Sequence, residues 1–225
     1  MSKVIAVVPV RGGSQRVQNK NTRPFADTTL LDLKLEVLSG VSGLNDILVT
    51  TDCDICSSIA RKHGVSLHRR DSFHAGSSVT NDQHWRHIAE LTPGDIVFMT
   101  QVTSPLVRRS THTNALKDYM ESRDRFDSLN SVTLERKFLW KNMAPLNYDV
   151  SRTPKSQDLP EIFSLNFAIT IIDRETMIRR GNVVGDRPRF AELDKIESID
   201  IDDSVDFKVA ESLYIDFGNK FLLDC

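Results

Sequence analysis

The stretch KVIAVVPVRGGSQRVQNKN, residues 3–21, joins an apolar run to a polar, basic loop. Residues 3–10 are almost entirely apolar and rich in β-branched side chains, which is typical of a strand buried on both faces of a parallel sheet. Residues 11–21 contain two glycines, two arginines and a lysine. A loop that only reversed the chain would not need this positive charge, so the pattern indicates an anionic ligand.

Strand-like and helix-like segments alternate after this loop. Such alternation predicts an α/β fold, a mostly parallel sheet covered by helices on both faces. Ligands bind beyond the carboxyl ends of the strands in such sheets, so the loops after residues 10, 52 and 101 are expected along one edge. The predicted segments are helix 28–40 closed by Gly40, strand 46–52, helix 54–64, strand 65–70, helix 77–91 and strand 95–101.

The second half is less regular. Residues 128–142 alternate like antiparallel strands, and residues 143–160 form a polar excursion that contains prolines. A strand is predicted at 163–173, and a strand, an acidic turn and a helix at 197–214, with Asp202 or Asp203 as the helix cap. Without a repeat or a linker, we expect one domain over residues 1–225 with a small protruding lobe.

Composition excludes several functional classes. The 225 residues carry 29 Lys and Arg against 31 Asp and Glu, a net charge of −2. This balance argues against a protein that binds nucleic acid or membrane surfaces without sequence specificity. Apolar runs such as VIAVVPV fall far short of the roughly 20 residues of a membrane span. With no secretory signal pattern, we expect a cytoplasmic protein that binds neither nucleic acid nor membrane.

The loop at 11–21 is the first candidate site. Gly12 and Gly13 allow close approach of the backbone to a ligand, and their N–H groups can form an anion nest. Arg11, Arg16 and Lys20 add charge-assisted contacts to phosphate oxygens. The alternative is a solvated basic loop without a ligand.

The acidic stretch SIDIDDSVDF, residues 198–207, is the second candidate. Asp200 and Asp202 are two apart on a strand-like run, which directs both carboxylates the same way. Paired carboxylates suit Mg²⁺, which takes one or two of them together with substrate phosphates. Alternatively, Asp202 only caps a helix and Asp200 is a surface residue.

The third candidate, TQVTSPLVRRS at 100–110, follows a buried strand. It brings Gln101, Thr103 and Ser104 to the edge where ligands bind. Simple turn chemistry is the alternative, with Ser104 as a helix cap and Pro105 at the first helical position. That alternative leaves Gln101 unexplained, since its amide can donate to and accept from a sugar.

Four segments in this order resemble the acylneuraminate cytidylyltransferases. They are PVRGGSQRVQNKNTRPF (9–25), TQVTSPL (100–106), SQDLPEIFSLNFAIT (156–170) and ESIDIDDSVDF (197–207). The resemblance implies a Rossmann-like sheet with a dimerisation lobe, mapped to about 134–162, and a homodimer whose partner lobe reaches into the sugar site. It also implies Mg²⁺-dependent transfer of CMP from CTP to the anomeric hydroxyl of a nonulosonic acid, with release of pyrophosphate.

The resemblance assigns roles residue by residue. Arg11, Lys20, Asp200 and Asp202 match the catalytic residues, and the two aspartates match the Mg²⁺ ligands. Matches to nucleotide-binding positions are Arg11, Gly12, Gly13, Ser14, Arg16, Lys20, Asn21, Thr80 and Asn81. Matches to sugar-binding positions are Gln101, Thr103, Ser104, Gln157 and Asn166.

Other residues in these segments receive less specific interpretations. We expect Trp85 and Trp140 to be packing residues, and His84 and His87 to lie on a helix surface. Arg69 and Arg70 follow a short strand, and contact with the nucleotide is the alternative to a purely structural role.

Departures from the family pattern concentrate on the acceptor side. They are Gln15 for a loop lysine, Ser77 for an acid, Val107 and Ser156 for arginines, and Phe167 for a glycine. We therefore expect CTP and Mg²⁺ handling to be retained, with the acceptor open between a modified nonulosonic acid, Kdo and a related acid. Another acceptor class, or a nucleotide-binding protein without turnover, is the alternative.

Overall fold

The computed structural model describes residues 2–13, 16–75 and 79–224. The strands are β1 Val4–Val10, β2 Asp46–Thr51, β3 Ser66–Arg69, β4 Ile96–Thr100, β5 Ser128–Glu135, β6 Trp140–Lys141, β7 Ala144–Pro145, β8 Ile162–Asp173 and β9 Pro188–Glu192. The helices are α1 Leu30–Ser39, α2 Asp54–Lys62, α3 Ser72–Ala75, α4 Asn81–Leu91, α5 Arg109–Ser122, α6 Arg174–Arg180 and α7 Ser204–Leu222. Within these ranges, no helix has the length and apolarity needed to cross a membrane.

One sheet organises the described chain, with seven strands in the order β3-β2-β1-β4-β8-β5-β9. Strand β8 is antiparallel to both of its neighbours, and every other pair in the sheet is parallel. The predicted mostly parallel sheet is confirmed. The carboxyl ends of β1, β2, β3 and β4 therefore share one edge, from which the candidate loops extend.

Helices cover both faces of the sheet because β1 is apolar at every position. Val4, Ala6 and Val8 join the larger core cluster, which includes residues of α1, α2, α5 and α7. Ile5 and Val7 point the other way, into a smaller cluster with residues of α4 and α6. An alternating strand would have buried one face only. The prediction of helices on both faces is thus confirmed.

A small lobe, residues 136–161, lies between β5 and β8 and outside the seven-stranded sheet. It contains the β6–β7 hairpin and two short 3₁₀ turns, Val150–Arg152 and Ser156–Asp158. The Asn147 side chain closes the hairpin, accepting from Leu139 N–H and donating to the Lys137 carbonyl, both at 2.9 Å. Trp140, expected to pack, contacts Tyr148 edge-on but leaves 53% of its surface exposed.

The acidic segment differs from its prediction. Residues 197–202 form no strand. A turn in which the Ser198 N–H donates to the Asp194 carbonyl precedes an extended stretch. Asp203, one of the two predicted caps, begins α7 and accepts from the N–H groups of Val205 and Asp206. Asp206 bonds back to Asp203 N–H, completing a capping box.

Buried Glu197 fixes this segment to the start of α5. Its side chain is 3% exposed and forms a 2.8 Å ion pair with Arg108. It also accepts from the Arg108 backbone N–H at 2.9 Å and from the Thr111 hydroxyl at 2.6 Å. The full set of partners satisfies a carboxylate that would otherwise be costly to bury.

Glu197→Ala is predicted to lower the free energy of unfolding by about 3 kcal/mol, because it leaves Arg108 without its buried partner. Urea denaturation measures the change. Glu90→Ala, at an exposed position on α4, is the control and should change stability by less than about 0.5 kcal/mol. Equal effects of the two substitutions would contradict this role for Glu197.

Candidate active site

Two adjoining cavities open at the carboxyl edge of the sheet. The first has a volume of about 510 Å³ and the second about 660 Å³. Asn81, Trp85, Gln101 and Thr103 line both, so the two form one continuous cleft. The first is also lined by Pro9, Arg11, Arg16, Lys20, Asn21, Arg70, His74, Val79, His84 and Val102, and the second by Asp82, Leu165, Asn166, Phe167, Gly181, Asn182, Val183, Val184 and Asp200.

The loop after β1 supplies most of the positive charge of the first cavity. Gly13 has φ +65°, a left-handed conformation that glycine adopts without strain, and the chain turns there. The Gly12 N–H donates to Asp52 at 2.8 Å, so this one amide of the proposed anion nest is already engaged. Asn21 donates to the Arg11 carbonyl at 3.1 Å and ties the two ends of the loop together. Ser14, and the departure at Gln15, lie outside the described residues.

The peptide groups of Ile201 connect this loop to the rest of the site. Lys20 Nζ donates to the Ile201 carbonyl at 2.6 Å, and the Ile201 N–H donates to the Thr103 carbonyl at 2.8 Å. The Ile201 side chain is fully buried in the core. Burial lowers the pKa of Lys20, while Asp200 and Asp202 oppose that shift. Ile201 thus joins its own segment to the loop of Lys20 and to the loop of Thr103, which are distant in sequence.

The acidic pair lies beside this connection. Desolvation raises the pKa of Asp200, and the charge of Asp202 adds to the rise, while a hydrogen bond from Thr103 opposes it. Asp202 forms a 2.8 Å ion pair with Arg16 at the surface. Two carboxylates that repel each other can hold a divalent cation, so the donor set fits Mg²⁺. The described chain has no cluster of three or more metal-binding His, Cys, Asp or Glu side chains, so the ligand would supply other donors.

Helix α4 contributes one face to the cleft. Asn81, His84 and Trp85 have the i, i+3, i+4 spacing that places side chains together. Thr80 caps this helix in a reciprocal capping box with Gln83 and lines neither cavity. The helix accordingly begins at Asn81, later than the predicted 77, and Ser77 lies outside the described residues.

His84 lies on the surface of α4, on the side that faces the cleft. It lines the first cavity, where burial, with a contribution from Arg70, lowers its pKa to about 4. His84 is therefore neutral at physiological pH. His87 is also partly buried, and it stacks on His74 with ring centroids 3.6 Å apart.

A buried lysine holds the loop after β4 in place. Gln101 and Thr103 line both cavities, as their positions predicted, whereas Ser104 is buried and lines neither. The Ser104 carbonyl accepts from Lys34 Nζ at 2.9 Å, and burial lowers the pKa of this lysine to about 7. Because α5 begins at Arg109, the alternative role of Ser104 as a helix cap is wrong.

Two further predicted residues do not present free polar groups to the cleft. Gln157 lies in the lobe, outside both cavities, and its carbonyl is 3.4 Å from Arg136 Nη1. Asn166 lines the second cavity, but its amide bonds to Ser131 and Thr133. Val107 is fully buried in the core, and Ser156 is in the lobe.

Several residues of the cleft were missed or underestimated by the sequence reasoning. Arg70 lines the first cavity, and its position just after β3 was the available signal. Trp85 packs against the smaller core cluster and also lines both cavities, so packing was only part of its role. Residues 181–184 follow α6, and no local motif in the sequence marked them as part of the cleft.

Comparison with known proteins places this geometry in a family. Residues 5–200 match the cytidylyltransferase family. The chain is 28% identical over 226 residues to an N-acylneuraminate cytidylyltransferase of Oncorhynchus mykiss, across 96% of this chain and 51% of that protein. It therefore spans about half the length of that relative. A Campylobacter coli protein named post-translational flagellin modification protein B is 22% identical, across 95% of each chain.

The fold agrees with this match. A solved CMP:2-keto-3-deoxy-manno-octonic acid synthetase, in complex with CTP, superimposes with a TM-score of 0.72 at 12% identity. The superposition covers 96% of this chain and 99% of the other. The family match covers most of the sequence and the fold is the same, so the chain belongs to the cytidylyltransferase family of nucleotidyltransferases.

Proposed function

We propose that the protein transfers CMP from CTP to the anomeric hydroxyl of a nonulosonic, sialic-type acid and releases pyrophosphate in a Mg²⁺-dependent reaction. The observation that carries the proposal is the continuous cleft, with a basic cavity on one side and Asp200 in the adjoining cavity. Membership of the cytidylyltransferase family and the N-acylneuraminate relative support the choice of nucleotide and acceptor.

The first cavity is suited to the nucleotide. Arg11, Arg16 and Lys20 can neutralise a triphosphate, and the partly desolvated Lys20 contributes more strongly than an ammonium group in bulk water would. Asn81 and neutral His84 offer hydrogen-bonding groups for a base or ribose. Nucleotidyl transfer depends mainly on such positioning and charge neutralisation.

Asp200 and Asp202 would hold the Mg²⁺. When bound, the ion would neutralise charge on the phosphates. The aspartates themselves would fix the place of the ion, since the bonded peptide groups of Ile201 lie between them. In the reaction, the acceptor hydroxyl oxygen forms a bond to the α-phosphorus and gives up its proton, the bond from that phosphorus to the bridging oxygen breaks, and the proton and pyrophosphate leave as products.

The acceptor would occupy the second cavity, and a partner subunit would complete it. Among the described lining residues of this cavity there is no Lys or Arg, although a sugar acid carries a carboxylate. The lobe has exposed cations at Lys141, Arg152 and Lys155, and exposed apolar side chains at Met143 and Leu146. A homodimer formed through the lobe would bury the apolar groups and bring the cations to the partner's cavity.

The alternative function, a nucleotide-binding protein without turnover, has less support. The chain belongs to the cytidylyltransferase family, and both aspartates of the proposed Mg²⁺ site are present beside the basic loop.

Pyrophosphate release tests the function directly. CTP and Mg²⁺ are incubated with nonulosonic acids, including modified ones suggested by the flagellin-modification relative, and with Kdo. ATP, GTP and UTP are the controls. We expect release with CTP and a nonulosonic acid only; release with Kdo alone would move the proposal to that acceptor. CTP binding without release across the panel would overturn the activity.

Asp202→Asn is predicted to reduce turnover by about 100-fold or more, because it removes one Mg²⁺ ligand. Its ion pair with Arg16 is exposed, so the melting temperature should change little. Asp216→Asn, at an exposed position on α7, is the matched control. Full activity of the Asp202 variant at low Mg²⁺ would rule out the metal role.

Asp200→Asn is predicted to stabilise the free protein at pH 7 while lowering turnover. The ionised Asp200 is disfavoured in the folded state, so its removal helps only while it is ionised. The gain should shrink as the pH falls through the raised pKa, where Asp200 itself becomes neutral. Denaturant titrations of both proteins at pH 7 and pH 4 measure this; a pH-independent difference would contradict it.

A further inference from the structure

Phe167 has an unusual backbone conformation for its size. The pairing of β5 with β8 shifts register between Asn130 and Val132, so β8 bulges near this point. Phe167 has φ +55°, in the left-handed region that favours glycine. That conformation is strained for a residue with a Cβ. A glycine would suit the backbone better, so the phenyl ring itself requires an explanation.

Side-chain hydrogen bonds hold the bulge in place. Asn166 accepts from the Ser131 hydroxyl and from Ala168 N–H, and donates to the Thr133 hydroxyl at 3.0 Å. Ser131 in turn accepts from Ile169 N–H at 2.8 Å. These bonds replace part of the regular ladder between the strands. Asn166 is therefore a positioning residue, which sets the conformation of Phe167 beside the second cavity.

Phe167 forms an apolar wall of that cavity together with Leu165 and Val184. Phe167 is 38% exposed and lines this cavity, so a ligand there can reach it. The cleft side shared with the first cavity is different, since Asn81, Gln101 and Thr103 offer polar groups there.

Nearby backbone groups do little to make the wall polar. The Val183 carbonyl accepts from Asn130 at 2.9 Å, and the Val184 N–H donates to Asn182 at 2.9 Å. The Val184 carbonyl accepts from Arg180 at 3.0 Å. Each of these three groups is therefore already engaged in one hydrogen bond within the protein.

We infer that Phe167 is a specificity-determining residue, which selects sugar acids that present a methyl group to this wall over those that present a hydroxymethyl group. The inference rests on the proposed transfer to a sugar acid. A hydroxyl buried there without a partner costs about 1–3 kcal/mol, equivalent to roughly 10- to 100-fold in kcat/KM. The methyl group fills the same space and loses no hydrogen bond.

The test compares two sugar acids that differ only in a terminal methyl or hydroxymethyl group. Pyrophosphate release is measured with CTP for the wild type, Phe167→Ala and Phe167→Gly. The wild type should prefer the methyl form by about 10-fold or more in kcat/KM. Both variants should lose most of that preference with the KM for CTP unchanged, and Phe167→Gly should not lower the melting temperature, because it removes the backbone strain.

Phe217→Ala is the matched control, since Phe217 is 40% exposed on α7 and lines neither cavity. It should keep the wild-type preference. Equal use of both acceptors by the wild type, or an unchanged preference in the Phe167 variants, would overturn the inference.

Calorimetry of acceptor binding to the CTP-loaded protein separates the two proposals. If neither acid releases pyrophosphate but the methyl form binds about 10-fold more tightly, the activity fails and the wall is supported. Equal binding, or no binding of either acid, overturns the role of Phe167.

Discussion

The site depends on the two hydrogen bonds made by Ile201. Its N–H is bonded to the loop after β4 and its carbonyl to Lys20, while its side chain is anchored in the core. The backbone at Ile201 cannot rotate freely, because its N–H, its carbonyl and its side chain are all fixed. The flanking Asp200 and Asp202 are therefore held at a set distance from the basic loop, even though the segment belongs to no strand or helix.

This arrangement keeps opposite charges close together without neutralising them fully. Burial disfavours the charged form of Lys20, and desolvation together with Asp202 disfavours that of Asp200. The charged form of each side chain is less stable in the free protein than it would be in water. Binding of a polyphosphate and a cation would offset both of these costs. Folding has then already removed part of the water from the charged groups, so ligand binding does not have to.

Sequence reasoning reached the sheet and the three loops because their signals are local. Uninterrupted apolar strands predicted coverage on both faces, and charge after β1 marked the basic cavity. It failed for residues 197–202, where alternation looked strand-like but buried Glu197 directs the chain into turns against Arg108. It also left residues 181–184 unassigned, since only the packing of α6 against α4 brings them to the cleft.

Strand β8 has a consequence for how the chain is made. It covers the open edge of β4, yet it is antiparallel and follows the whole lobe. As the polypeptide emerges during synthesis, residues 101–161 must all appear before that edge can be paired. An unpaired apolar strand edge can join another nascent chain. The order of elements thus creates an interval in which the growing polypeptide is exposed to aggregation, whatever the stability of the finished fold.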